Sequence, residues 1–167
     1  MDESDIDAVA ALRVKGWQSA YAGIIPQSFL DVMSPESDAQ RRRAGFLSSR
    51  GSIVDLVAVD EDDVPVGWVC FGPYRGETDA QGPGEVYALY VEPALMGQGI
   101  GRALLNAVHH HAAAQHFATL QLWVLRDNAR ARRFYTLAGY AEDGAEESET
   151  YNGVPVTEVR YRRPMSS

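Results

Sequence analysis

The chain has 167 residues, a length that fits one domain with its own hydrophobic core. Apolar residues make up 46% of the chain and charged residues 23%, which is typical of a globular protein and excludes the disordered and fibrous classes. The net charge of -8 argues against general nucleic-acid binding, because that function usually requires a basic surface.

The N-terminus and the cysteine content indicate the cellular compartment and the cysteine chemistry to expect. Residues 1–5 are acidic where a secretory signal would be basic, and no apolar run is long enough to cross a bilayer. We therefore expect a cytoplasmic protein without a membrane partner. Cys70 is the single cysteine and lies in an apolar run, so the sequence predicts neither a disulfide framework nor a thiolate metal cluster.

The N-terminal third of the chain is predicted to be helical. Apolar residues recur with helical spacing from Ile6 to Trp17, after a capping-box pattern formed by Ser4 and Asp7. Two further helical patterns each open with proline or acidic residues. The predicted helices run from this capping box to about Ala20, from Pro26 to Val32 and from about Glu36 to Leu47.

Strands alternate with helices from residue 53 onward. An acidic turn at 60–63 predicts a hairpin, and Gly139 is placed to end the last helix. The predicted strands are 53–59, 64–71, 85–91 and 119–125, with a final hairpin of 140–149 and 154–162; the predicted helices are 100–115 and one capped by Asp127 or Asn128. This order predicts a single α/β (α+β) domain over residues 1–167, with a mixed sheet flanked by helices.

The segment from Gly97 to Arg102 has the pattern of an anion-binding loop. Its glycines stand at alternate positions between a predicted strand and a strongly amphipathic helix. Unpaired amides at a helix start lie at the positive end of the helix dipole, which favours a phosphate group. Gln98 and Arg102 can add side-chain donors. The G-x-G-x-G spacing followed by Arg102 fits neither a dinucleotide fingerprint nor a P-loop.

At these residues the sequence resembles the GNAT superfamily of N-acetyltransferases. Three motifs carry the resemblance in the family's order: Tyr90-Val91-Glu92-Pro93, the run from Gly97 to Leu105, and Asn128-x-x-Ala131-x-x-Phe134-Tyr135-x-x-x-Gly139-Tyr140. The segment from Gly16 to Pro26 is also similar to one bacterial branch. Two features depart from the family: Met96 stands where Gln or Arg is usual, and no short strand is predicted before the first helix.

The resemblance implies a mostly antiparallel, twisted sheet whose central strand pair splays apart at an acetyl-CoA site. It implies acetyl-CoA as the acyl donor. The residues expected to hold this cofactor are Leu89, Tyr90, Val91, Met96, Gly97, Gln98, Gly99, Ile100, Gly101, Arg102, Asn128, Ala131, Arg132 and Phe134.

The resemblance further implies direct attack of an amine on the thioester inside one ternary complex. An amine with a pKa of about 10 is mostly protonated at neutral pH, so a base must take its proton. Glu85 is the candidate base, acting directly or through water. The amides of Leu89 to Val91 are expected to stabilise the oxyanion, and the Tyr135 hydroxyl to protonate the leaving thiolate. Asn128 is expected both to cap its helix and to bind the pantetheine arm.

The acceptor side is predicted from aromatic and acidic residues. Together with Glu77, Asp79 and Glu85, the aromatic residues suggest a pocket for a cationic amine. These aromatic residues are Trp17, Tyr21, Tyr74, Tyr87 and Tyr90.

Three functional hypotheses stay open at this point. The favoured one is an acetyltransferase of small-molecule or peptide amines; the others are a non-catalytic acyl-CoA-binding sensor and an acetyltransferase of protein N-termini or lysines. A homodimer is plausible because dimers are common in the family. No metal is predicted, because the consecutive histidines at 109–111 point in different directions around a helix and cannot share one ion.

Overall fold

The computed structural model of the protein describes residues 1–46, 52–76 and 82–165. Within them the helices and strands lie close to their predicted bounds. The helices are α1 (Ile6–Ala20), α2 (Gln27–Leu30), α3 (Pro35–Phe46), α4 (Ile100–Ala114) and α5 (Ala129–Leu137), and the strands are β1 (Val54–Val59), β2 (Pro65–Pro73), β3 (Gly84–Val91), β4 (Thr119–Leu125), β5 (Ala141–Tyr151) and β6 (Val154–Pro164). The residues Leu47, Glu77 and Asp79, used in the predictions above, lie outside the described ranges.

The start of α1 differs from the predicted capping box. Asp2 is the capping residue: its carboxylate accepts a hydrogen bond from the Ser4 amide at 2.8 Å, and the Asp5 carboxylate accepts one from the Asp2 amide at 2.8 Å. Asp7 instead forms an ion pair with Arg43 on α3. The prediction was wrong by two residues because a one-turn 3-10 helix, Glu3–Asp5, precedes α1. No strand precedes β1 within the described part of the chain.

The described strands form one mixed sheet in the order β1-β2-β3-β4-β6-β5. Neighbouring strands are antiparallel except β3 and β4, which run parallel and pair only at Gly84 with Leu120 and at Glu85 with Gln121. Beyond these two pairs the strands diverge and leave a wedge-shaped opening, here called the wedge. The predicted mixed sheet with a splayed central strand pair is confirmed.

A β-bulge lies in β3 where it borders the wedge. Cys70 on β2 pairs with Ala88, whereas the next residue, Phe71, pairs with Val86, so that Tyr87 is an extra residue on β3. A bulge bends its strand and increases the local twist. The later part of β3 stays paired with β2, diverges from β4 and borders the opening.

Helices cover both faces of the sheet. On one face α4 buries Leu105 in a core that includes Phe71 of β2, and α5 packs against the same core. On the other face α1 buries Leu12 against Trp68. Because successive strand residues point to opposite faces, β2 supplies both cores. None of the described helices has the length and apolar character needed to span a bilayer.

Gly16 lets the end of α1 approach β3 closely. A Cβ atom added at this position would lie 2.6 Å from Cδ1 of Tyr90, a distance that side chains do not tolerate. The helix therefore rests directly on the Tyr90 ring, and this contact brings Tyr21, at the C-cap of α1, to the wedge. The Tyr21 and Tyr90 hydroxyl oxygens are 3.3 Å apart.

Candidate active site

A cavity of about 1120 Å³ occupies the wedge. Its wall combines the end of α1, the second half of β3, the start of α4, the end of β4 and one face of α5. These elements belong to both sides of the splayed sheet. The cavity is therefore a product of the divergence between β3 and β4.

The glycine loop forms one end of the cavity. Gly97 and Gly99 have φ angles of +86° and +92°, a region that residues with side chains rarely adopt. The first helical hydrogen bond of α4 runs from the Ala103 amide to the Gly99 carbonyl at 2.9 Å, so the amides of Ile100 to Arg102 precede the hydrogen-bonded turns. A Cβ added at Gly97 would meet no atom within 4 Å, so the loop faces open space.

The cofactor residues predicted from the sequence converge on this cavity with one exception. Leu89, Tyr90, Val91, Met96, Gly97, Gln98, Gly99, Ile100, Gly101, Arg102, Asn128, Ala131 and Phe134 all line it. Asn128 also caps α5, accepting a hydrogen bond from the Ala131 amide at 3.1 Å. The exception is Arg132, whose guanidinium donates to the Tyr161 hydroxyl and to Glu142 on the neighbouring hairpin. Arg130, two residues earlier on α5, lines the cavity instead.

Tyr135 lies in the cavity wall on α5. Burial raises the pKa of its phenol, and the nearby hydroxyls of Tyr90 and Tyr140 raise it further. The hydroxyl is therefore protonated throughout the neutral range and can act as a proton donor. This state suits the predicted role of Tyr135 as the acid that protonates a leaving thiolate.

The aromatic residues predicted for the acceptor side divide into two groups. Tyr21 and Tyr87 line the cavity, whereas Trp17 does not. The indole of Trp17 packs edge-on against Tyr21 at 5.0 Å and against Tyr151 at 6.0 Å between ring centroids, inside the core between α1 and the last hairpin. Trp17 thus packs behind Tyr21, one of the residues that line the acceptor side of the cavity. The structure does not place it in contact with a ligand in the cavity.

Glu85 lies at the closed end of the wedge. The residue is 1% exposed, and its carboxylate accepts hydrogen bonds from the Arg75 guanidinium and from the Arg75 amide. It does not contribute to the cavity wall. This placement does not support direct proton transfer from a substrate to Glu85, because the carboxylate is engaged by Arg75 and does not line the cavity.

Arg75→Met is expected to lower the free energy of unfolding by about 1.5–3 kcal/mol, the range for hydrogen bonds to a charged group. The substitution leaves the Glu85 carboxylate buried without its cationic partner. Arg43→Met is the matched control, since the ion pair of Arg43 with Asp7 is exposed and such pairs contribute about 1 kcal/mol or less. Urea unfolding of both variants measures the difference. Equal losses would show that Arg75 does not stabilise Glu85.

Several cavity residues were not predicted from the sequence. These include Arg130, His109, Arg163 and Glu158, together with apolar residues of α4 and β4. Arg130 and His109 lie on helix faces next to predicted residues, so helical spacing could have predicted them. Arg163 and Glu158 belong to the final hairpin, whose position beside β4 follows only from the long-range pairing of β6.

His109 of α4 packs between the cavity and Tyr140. His109 Nε2 lies 3.1 Å from the Tyr140 hydroxyl oxygen. Burial lowers the pKa of His109 to about 4, with further lowering by Arg163 and His110, so the ring is neutral at neutral pH. Among the described residues, no group of three or more His, Cys, Asp or Glu side chains is arranged to hold a metal ion.

The geometry of this site agrees with comparisons to known proteins. The family described as the acetyltransferase (GNAT) family matches residues 17–140, well over half of the chain. The chain therefore belongs to the GNAT family of acetyltransferases. The members of this family are acetyl-CoA-dependent acyltransferases, and the chain is accordingly an acetyl-CoA-dependent N-acetyltransferase.

Similar proteins span nearly the whole chain. It is 29% identical over 155 residues to Uncharacterized N-acetyltransferase YuaI of Bacillus subtilis, which covers 93% of this chain and 85% of the relative. It is 30% identical over 161 residues to Probable N-acetyltransferase Rv2775 of Mycobacterium tuberculosis, covering 95% and 87%. The fold is similar to PaiA N-acetyltransferase of Thermoplasma acidophilum, solved in complex with coenzyme A, with a TM-score of 0.77, 17% identity and 98% and 95% coverage.

Proposed function

We propose that this acetyltransferase transfers the acetyl group of acetyl-CoA to the amine of a small molecule or peptide by direct attack in one ternary complex. The observation that carries the proposal is the continuity of the cavity. It runs from the glycine loop along β3 to Tyr135 and to Tyr21 at the C-cap of α1. A donor and an acceptor can therefore meet inside it without an acyl-enzyme intermediate.

The residues at one end of the cavity fit the phosphates of the cofactor. The amides at the start of α4 lie at the positive end of its dipole, and positive φ angles at two glycines keep the loop backbone open to a ligand. Two arginines at the starts of α4 and α5, Arg102 and Arg130, add positive charge to the cavity wall. When bound, the cofactor supplies an activated acetyl thioester.

The residues beside the wedge fit the chemistry of acyl transfer. The second half of β3 has no partner strand on the β4 side, so its main chain borders the cavity. We assign the amides of Leu89 to Val91 to the negative charge that develops on the thioester oxygen. Tyr135 donates its proton to the thiolate sulfur as the C–S bond breaks.

The proposed function is tested by following free thiol release from acetyl-CoA in the presence of a panel of amines. Turnover with small amines supports it. Stabilisation by CoA without turnover on any acceptor would instead favour the sensor. Acetylation confined to proteins, detected by mass spectrometry, would favour a protein acetyltransferase.

Two further predictions concern the setting of the enzyme. The reaction draws on acetyl-CoA, so we assign it to the cytoplasm, where that cofactor is produced. A homodimer stays a prediction. Light scattering of the purified protein measures its mass directly against the 18.3 kDa of one chain.

A further inference from the structure

One carboxylate in the cavity has no assigned role. Glu158 lies on β6 opposite Leu125, at the open end of the wedge. It shares a strand face with Val156, which packs in the core beneath α2. Among the described residues that line the cavity, Glu158 is the single acidic one.

The surroundings of Glu158 leave its charge uncompensated. Within the described ranges, its side chain forms neither a hydrogen bond nor an ion pair. By contrast, the buried carboxylate of Glu85 is held by Arg75, and Asp143 is held by Arg160. A partly buried carboxylate without a cation is costly unless a ligand provides one.

The tyrosines of the cavity converge around the same point. Burial raises the pKa of Tyr21 well above its usual value, and the nearby groups of Tyr90, Tyr135 and Glu158 raise it further. All four of these side chains line the cavity, and the Tyr21 and Tyr90 hydroxyl oxygens are 3.3 Å apart. Glu158 and the proposed acid Tyr135 therefore border the same cavity, together with Tyr21 and Tyr90.

We infer that the Glu158 carboxylate binds the ammonium group of a primary alkylamine acceptor and takes the proton that must leave before attack. The inference rests on the proposed function and names the base and the substrate class for it. The Glu158 carboxylate, which has no cationic partner among the described residues, supplies the negative charge. The rings of Tyr21 and Tyr90 supply cation–π contacts to an ammonium group.

The protons of the reaction balance with these two residues. The ammonium gives one proton to Glu158, and the resulting amine forms the C–N bond as the C–S bond breaks. Tyr135 gives its proton to the thiolate, and the second proton leaving nitrogen returns to the Tyr135 oxygen. Glu158 then releases its proton to water, so the products are an amide, a thiol and one proton.

The pH dependence of activity follows from the environment of Glu158. Burial raises its pKa, and so do Glu149 and Glu147 on β5 and Glu85 on β3, while Arg75 opposes them. Tyr21, Tyr90 and Tyr151 are also close but uncharged at neutral pH. Because the base must be ionised, kcat/KM for an alkylamine falls as the pH drops through this raised value. Glu158→Gln removes that acid limb.

The test compares two acceptors of similar shape and different charge. Benzylamine carries an ammonium group at neutral pH, whereas aniline is neutral and needs no base before attack. Glu158→Gln is expected to lower kcat/KM for benzylamine by about 10²-fold or more, the usual contribution of a general base, and to change that for aniline by less than about threefold. Glu147→Gln, which removes the exposed carboxylate directly opposite Glu158 on β5, is the matched control and retains benzylamine activity at the pH optimum.

The possible outcomes distinguish failure of this inference from failure of the proposed function. Equal losses for both amines in Glu158→Gln, or an unchanged benzylamine rate, overturn the role of Glu158 while the acetyltransferase stands. If the native protein acetylates none of benzylamine, tyramine and 1,4-diaminobutane, the proposed function fails for alkylamines and the inference fails with it. Thermal stabilisation of the variant by CoA, equal to that of the native protein, confirms that the donor site is intact.

Discussion

Tyr135→Phe is expected to lower kcat by about 10²-fold or more while the affinity for CoA changes by less than about twofold, as the loss of a general acid predicts. The substitution removes one hydroxyl from the cavity wall and keeps the ring that packs against Phe134. Without that proton the sulfur must leave as a free thiolate. Steady-state rates with a saturating amine, and CoA binding by calorimetry, measure the two quantities.

Tyr140→Phe is the control for this substitution. Its phenol is also buried and its pKa is also raised by burial, but the residue lies behind the cavity wall and bonds to His109. We expect its kcat to stay within about threefold of the native value. A Tyr135→Phe enzyme with unchanged kcat would remove this hydroxyl from the mechanism.

Gly97→Ala/Gly99→Ala is expected to weaken CoA binding by about 30-fold to 10³-fold. Each position needs a positive φ angle, which costs a residue with a side chain about 1–2 kcal/mol. If the loop of the variant relaxes to avoid that cost before CoA binds, binding must restore a positive φ angle at both positions. Every 1.4 kcal/mol of this cost corresponds to about tenfold in Kd. Calorimetric titration with CoA gives the affinity.

A matched double variant separates this effect from general strain. Gly144→Ala/Gly153→Ala changes two glycines with φ angles of +87° and +81° in the β5–β6 hairpin, outside the cavity. It is expected to lose a similar amount of stability and to bind CoA like the native protein. An equal loss of affinity in the two double variants would contradict the role of the glycine loop.

The elements of the fold were largely predictable because local patterns determine them. β4 has its predicted bounds, and Gly139 ends α5 with a φ angle of +87°, as a helix C-terminal glycine does. α2 is shorter than predicted: it stops at Leu30, and Val32 is 76% exposed, so no packing extends it. Local periodicity does not show where tertiary contacts end.

The site was predictable where a motif is continuous in sequence. The glycine loop and its flanking residues follow one another along the chain, and they meet in the cavity as predicted. The predictions for Arg132, Trp17 and Glu85 depended on the direction of a side chain. Each side chain instead contacts a residue outside its own helix or strand. Arg132 contacts Tyr161, Trp17 contacts Tyr151 and Glu85 contacts Arg75.

Glu158 shows what sequence patterns could still have indicated. It shares a strand face with Val156, which packs in the core, so the sequence places one carboxylate next to an apolar position of the last strand. That signal becomes meaningful only once β6 is known to pair with β4 and to border the opening. The register of distant strands is the information that a single sequence lacked.

The short junction of β3 and β4 divides the sheet into two halves. One half carries β1 to β3 and α4 with the phosphate loop, and the other carries β4 to β6 and α5 with Tyr135 and Glu158. Two residue pairs at the vertex, including Glu85 with Gln121, join the strands that carry the phosphate loop to those that carry the reactive groups. Changes at that vertex would alter the alignment of the halves, and so turnover, while the surfaces that touch each ligand stay the same.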